Sequence, residues 1–118
     1  MKKLTPAEEQ IMKIIWDIAP CSVGQIIDKM GSPRPPHSTI SSLVRILDQK
    51  GFITHEAYGR TFVYRPVVKK STYLKSSLKD LVRNYFSDSP AQLVSFLVKQ
   101  KEVDKKALME LIEKLQND

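Results

Sequence analysis

A chain of 118 residues with 42% hydrophobic side chains is long enough for one domain, or for a small domain with an appendage, and can build a real core. No stretch approaches about 18 uninterrupted apolar residues, and the opening MKKLTPAEEQ lacks the apolar segment of a signal peptide, so the expectation is a cytoplasmic protein with no membrane insertion. Cys21 is the only cysteine, which excludes an internal disulfide and a cysteine-cluster metal site, and the net charge of +6 favours a polyanionic partner.

The charge is uneven. Residues 1–70 hold 11 Lys+Arg against 6 Asp+Glu, whereas residues 71–118 hold 8 against 7. Thr5-Pro6-Ala7-Glu8 is a capping box with proline at the first helical position, and the helix it starts should run to about Ala19. Ile11, Met12, Ile14, Ile15, Trp16 and Ile18 make that helix largely buried, which assigns Trp16 to the core rather than to ligand stacking. Pro20 ends it, and Cys21 reads as a small buried residue near the turn. Ser22-Val23-Gly24-Gln25 is a second capping box, opening a helix to about Met30 that Gly31 closes.

After the stiff linker Ser32-Pro33-Arg34-Pro35, a third helix is expected from Pro36 to Lys50. Ile40, Leu43, Val44 and Leu47 form one apolar face at helical period. The opposite face carries Ser38, Ser41, Ser42, Arg45 and Gln49, with no acid and no bulky side chain. Hydroxyls there can reach phosphates, and Arg45 or Gln49 can reach base edges. His37, in the first turn, suits a phosphate contact. Two helices joined by a short glycine-containing turn, the second with a groove-compatible face, outline a helix-turn-helix. Residues 52–66 then alternate and are rich in β-branched and aromatic side chains about Gly59-Arg60, which predicts a β-hairpin with Arg60 at its tip. A hairpin in that position is a wing, and Arg60 is placed for a phosphate or minor-groove contact. His55 reads as an exposed strand residue, and two histidines with one cysteine make a poor metal-ligand set.

From Ser71 onward the pattern is helical. Leu74, Leu78, Leu81, Val82, Tyr85 and Phe86 recur at helical spacing. Ser89 caps a further helix with Pro90 at its first position and Leu93, Val94, Phe96, Leu97 and Val98 within it. Asp104 is expected to cap a last helix with Leu108, Leu111, Ile112 and Leu115 on its apolar face. Three short amphipathic helices do not easily close a core alone but would bury their faces against a copy of themselves. The expected fold is mainly α with a small β-hairpin wing. A winged helix-turn-helix domain over residues 1–70 is followed by an all-helical dimerisation domain over residues 71–118. The expected dimerisation residues are Leu74, Leu78, Leu81, Tyr85, Leu93, Phe96, Leu97, Leu108, Leu111, Ile112 and Leu115.

The opening LTPAEEQIMKIIWD, the stretch HSTISSLVRILDQKGFI and the wing YGRTFVYRPVV with its helical tail resemble the penicillinase repressors, the BlaI/MecI/CopY group of winged-helix regulators. The resemblance covers nearly the whole chain. It implies a homodimeric repressor that binds a palindromic double-stranded DNA operator and silences a resistance or stress operon. It maps major-groove contacts onto Ser38, Thr39, Ser41, Ser42 and Arg45, with His37 beside them, and wing contacts onto Tyr58, Gly59, Arg60 and Thr61. In the penicillinase branch a membrane sensor-protease pathway leads to cleavage of an Asn-Phe bond in the dimerisation domain. The matching bond here is Ser95–Phe96, and Ser95 departs from the asparagine of that motif. The copper-responsive branch carries paired cysteines near its C-terminus, and this chain has Cys21 alone.

A second reading of the same residues is a winged helix that binds proteins and has no specific DNA site. A small-molecule sensor is a third, but no polar cluster marks a pocket for one. No nucleophile–base set, metal constellation or phosphate-cradling glycine loop is present, so no enzyme and no cofactor are expected. Asp48 and Glu56 read as solvated surface charges.

Overall fold

The structure is a computed structural model that describes residues 1–100 and 105–117, the side chains of Lys105, Leu108, Leu111 and residues 115–117 excepted. It divides into two compact units, Met1–Lys69 and Lys70–Asp118. The architecture is helical with one two-stranded antiparallel sheet, a winged helix-turn-helix followed by helices.

In the first unit, helix α1 spans Pro6–Ile18, α2 Val23–Met30 and α3 His37–Gln49. Both capping boxes form. The Thr5 hydroxyl accepts from the Glu8 amide at 3.2 Å and Glu8 Oε1 accepts from the Thr5 amide at 3.0 Å. Ser22 and Gln25 repeat the exchange at 3.2 and 2.9 Å. Each box satisfies amides that a helix start would otherwise leave unpaired. Helix α3 begins one residue later than the sequence pattern predicts. Pro36 has ψ 138° and stands as its N-cap, its carbonyl accepting from the amides of Thr39 and Ile40. The proline ring pre-sets φ, but the extended ψ keeps Pro36 outside the helix.

The three helices converge on Ile11, Met12, Ile15, Ile26, Ile40, Val44, Leu47 and Phe52, each no more than 2% exposed. Trp16 is half-buried, and its indole N–H donates to the Val68 carbonyl at 2.9 Å. Strands β1 (Ile53–Tyr58) and β2 (Thr61–Pro66) pair with Ile53 opposite Pro66 and Tyr58 opposite Thr61. Gly59 starts the two-residue turn between them at φ 63°, a conformation that costs glycine little. The base of the hairpin is fixed twice. Phe52 O accepts from the amides of Val67 and Val68, and Cys21 exchanges two backbone hydrogen bonds with Tyr64 at 3.1 and 2.7 Å. Cys21 is fully buried, and burial pushes its thiol pKa up, so it stays a neutral packing residue.

Glu8 does more than cap. It is only 3% exposed, and Lys50 Nζ, at the end of α3, lies 2.5 Å from its Oε1. The same ammonium donates to the Lys3 carbonyl at 3.2 Å. The Lys50 hydrogen bond holds the Glu8 carboxyl below its usual range, against the opposing effect of burial. This pair ties the start of α1 to the end of α3.

The second unit comprises α4 (Lys70–Tyr85), α5 (Pro90–Lys99) and α6 (Lys105–Asn117), with α6 packed on α4 and α5. Helix α4 ends in a left-handed turn in which Ser87 and Asp88 take φ of 52° and 59° and the Asp88 amide donates to the Val82 carbonyl at 3.1 Å. Ser89 then caps α5 by accepting from the Gln92 amide at 3.3 Å. Val82, Leu93 and Val94 are buried, and the rings of Phe86 and Phe96 lie 5.6 Å apart. Leu74, Leu81, Tyr85 and Phe96 stand 41–77% exposed. Leu78, Leu97 and Ile112 are half-buried. Leu93 is already enclosed within the unit. The expected cap Asp104 and the side chains of Leu108, Leu111 and Leu115 lie outside the described residues.

Candidate nucleic-acid interface

Helix α3 and the hairpin flank an open cleft of about 590 Å³. One wall is the α3 face His37, Ser41, Arg45 and Asp48. These residues recur at intervals of three and four, so they line up along the helix axis. The other wall is the hairpin, with Arg60 and Thr61 at the turn and His55, Phe62 and Tyr64 on the strands. The N-terminus of α2, Ser22–Gly24, closes one end. The apolar stripe Ile40–Val44–Leu47 holds α3 in place from behind, which presents the polar stripe outward.

The cleft gathers cationic and hydroxyl groups from elements distant in sequence. His37 Nδ1 lies 3.2 Å from Ser41 Oγ, one helical turn along. Arg45 and Arg60 come from the two opposite walls, and both are exposed. Two guanidiniums and small hydroxyls lining one cleft suit phosphate and base-edge contacts. Burial raises the Tyr64 hydroxyl pKa, the Asp48 charge adds to the rise and Arg45 partly offsets it. Among the described residues no group of three or more His, Cys, Asp or Glu could hold a metal ion. No helix of the described residues is long and apolar enough to cross a membrane.

Of the residues singled out from the sequence, His37, Ser41, Arg45, Arg60 and Thr61 line this cleft together. Ser38, Thr39 and Ser42 are exposed on α3 outside the cleft, and Tyr58 and Gly59 are exposed on the hairpin. The Tyr58 hydroxyl donates to Glu56 at 3.0 Å.

The chain matches the penicillinase repressor family model over residues 4–117. It belongs to that family. It is 24% identical to the penicillinase repressor of Bacillus licheniformis over 98% of this chain and 94% of that protein. It is 26% identical to the methicillin resistance regulatory protein MecI of Mammaliicoccus sciuri over 92% of this chain and 89% of the other. A solved structure of the DNA-binding domain of the repressor BlaI superposes with a TM-score of 0.53 at 31% identity, covering 62% of this chain and 94% of that domain.

The acid in the cleft is the feature that sequence reasoning placed wrongly. Asp48 is a half-buried charge with a partner rather than a freely solvated one. Its side chain is 30% exposed, and its Oδ2 lies 2.5 Å from His55 Nδ1 on β1. The His55 ring meets Phe62 edge-on at 5.0 Å and Tyr64 at 5.8 Å. The α3 face turned to the hairpin therefore does include a carboxylate. Asp48 follows Arg45 by three and Ser41 by seven, a spacing that puts it on their face and could have revealed it.

Proposed function

We propose that this protein is a homodimeric, DNA-binding transcriptional repressor of the cytoplasm that occupies a palindromic operator of a resistance or stress operon. One observation carries the DNA-binding reading. Arg45 of α3 and Arg60 of the wing line one cleft with His37, Ser41 and Thr61, in a chain of the penicillinase repressor family. In this reading α3 enters the major groove. Ser38, Thr39, Ser41 and Ser42 approach the backbone closely and Arg45 reads a base edge. Tyr58 to Thr61 follow the neighbouring groove or phosphates. The protein acts by obstruction and catalyses nothing.

Pairing is the second half of the proposal. Leu74, Leu81, Tyr85 and Phe96 leave residues 71–118 with apolar surface that a second copy would cover. A dimer presents two recognition helices, and operator symmetry mirrors its two-fold axis. Induction through a membrane sensor-protease pathway fits the same scheme. Ser95 and Phe96 are exposed on α5, and a cut between them would split that helix and weaken the pair.

The test is a mobility-shift titration of the full chain on duplex from its own promoter region at two salt concentrations. Saturable binding, weakened steeply by salt and competed by only some sequences, is expected. Equal binding to any duplex, or none, would favour a protein-interaction module instead.

A further inference from the structure

The Asp48–His55 pair sits where an acid should weaken the binding of a polyanion. Its side chains are 30% and 44% exposed, so neither is sequestered from an approaching duplex. An ionised carboxylate only accepts, so His55 Nδ1–H donates to Asp48 Oδ2, leaving Nε2 to gain or lose the second proton. With His55 protonated the pair is neutral overall. With His55 neutral the hydrogen bond survives, but the pair itself carries the Asp48 charge. The imidazole meets Asp48 from α3 and Phe62 and Tyr64 from β2, and the same cleft is lined by Arg45 and His37 from α3 and Arg60 from the turn. The α2 end contributes Ser22, Val23 and Gly24, which carry no side-chain charge.

Resting on the DNA-binding reading above, we propose that His55 is a positioning residue of that surface. It ties the wing strand to the recognition helix through Asp48 and neutralises that carboxylate against DNA, so duplex binding takes up one proton at His55. Phosphates brought into the cleft favour the protonated imidazole, and by reciprocity protonation favours the duplex. Affinity is then higher with the imidazole charged than with it neutral, and so falls as pH rises. Asp48, in turn, restrains binding at higher pH.

The chain has two histidines, which makes the test clean. The full chain and three variants, His55→Gln, Asp48→Asn and His37→Gln, are titrated by fluorescence anisotropy against the promoter-region duplex. Ionic strength is held constant from about pH 6 to about pH 7.5. Circular dichroism melts confirm that each is folded. For the parent chain, affinity is expected to fall about five- to tenfold across that range, as a one-proton linkage allows. His55→Gln, which keeps a donor but does not titrate, and Asp48→Asn should both flatten the profile. Asp48→Asn should also bind more tightly than the parent at the upper pH, a gain that loss of a merely structural contact would not produce. His37→Gln, at the cleft's other imidazole, should bind more weakly overall yet keep the part of the slope that His55→Gln removes. A slope that vanishes with His37→Gln and persists in His55→Gln overturns the proposal, as does binding that is indifferent to pH in the parent. Failure to bind duplex at any pH would instead sink the DNA-binding reading itself.

Discussion

The two units of this chain close their cores to different degrees. In Met1–Lys69 the central apolar side chains, from Ile11 to Phe52, are no more than 2% exposed, and hydrogen bonds and an ion pair join segments far apart in sequence. Among the described residues of the second unit the best-buried apolar ones, Tyr73, Val82, Leu93 and Val94, keep 6–9% of their surface, while Tyr85 keeps 77% and Phe96 48%. Long-range ties such as Trp16 to Val68 and Cys21 to Tyr64 let three short helices and a hairpin enclose a core. Three helices joined only by short connections enclose less. The first unit encloses its apolar side chains and presents a polar face. The second leaves apolar side chains exposed that the proposed second copy would cover.

The sharpest way to break this comparison is to truncate matched leucines. Leu47→Ala, at a fully buried site, should cost the first unit about 2–5 kcal/mol in urea unfolding, from lost transfer energy and a residual cavity. Leu81→Ala, at 41% exposure, should barely change the unfolding of an isolated protomer. Equal costs at the two sites would erase the distinction. Phe96→Asp and Leu81→Asp should weaken self-association by about 2–3 kcal/mol, roughly the value of one buried large apolar side chain, and leave the melting of the first unit unchanged.

Next in size is the Glu8–Lys50 pair. Lys50→Met leaves a buried carboxylate without its cation and should cost about 2 kcal/mol at neutral pH. The sign with pH follows from the lowered Glu8 pKa. The pair's stabilisation is present above the carboxylate range and disappears as acid protonates Glu8, so parent and variant should converge in acid. Divergence there would assign the cost to Lys50 packing alone. On the polar face, Arg45→Ala should cost about 1–3 kcal/mol of binding and relax sequence preference, if it reads a base bidentately. Arg60→Ala should cost less, about 1 kcal/mol, evenly across sequences, and reduce the salt slope by roughly one. Reversed behaviour of the two arginines would exchange their roles.

Much of this was legible because the signals are local. Thr5…Glu8 and Ser22…Gln25 state two helix starts, Gly59-Arg60 between alternating strands states a hairpin, and Ser89-Pro90 states the start of α5. What stayed hidden is long-range. Glu8 reads fully as a capping residue, so nothing in its neighbourhood announces Lys50, 42 positions away. Asp48 reads as surface charge because its partner belongs to a strand whose side-chain direction depends on how the hairpin docks. His55 reads correctly as an exposed strand residue, and only its contact with Asp48 stayed hidden. The face of α3 that meets the cleft is visible in outline, but the lining includes Asp48 and leaves out Ser38, Ser42 and Gln49. Periodicity marks a stripe well and its edge poorly.

Sedimentation equilibrium of the full chain beside Phe96→Asp tests the central contrast most directly. A concentration-dependent dimer for the parent, shifted to monomer in the variant while the first unit keeps its melting transition, is the result this account predicts. A parent chain that stays monomeric across the concentration range would contradict it, because the exposed apolar face of the second unit would then have no partner in its own copy.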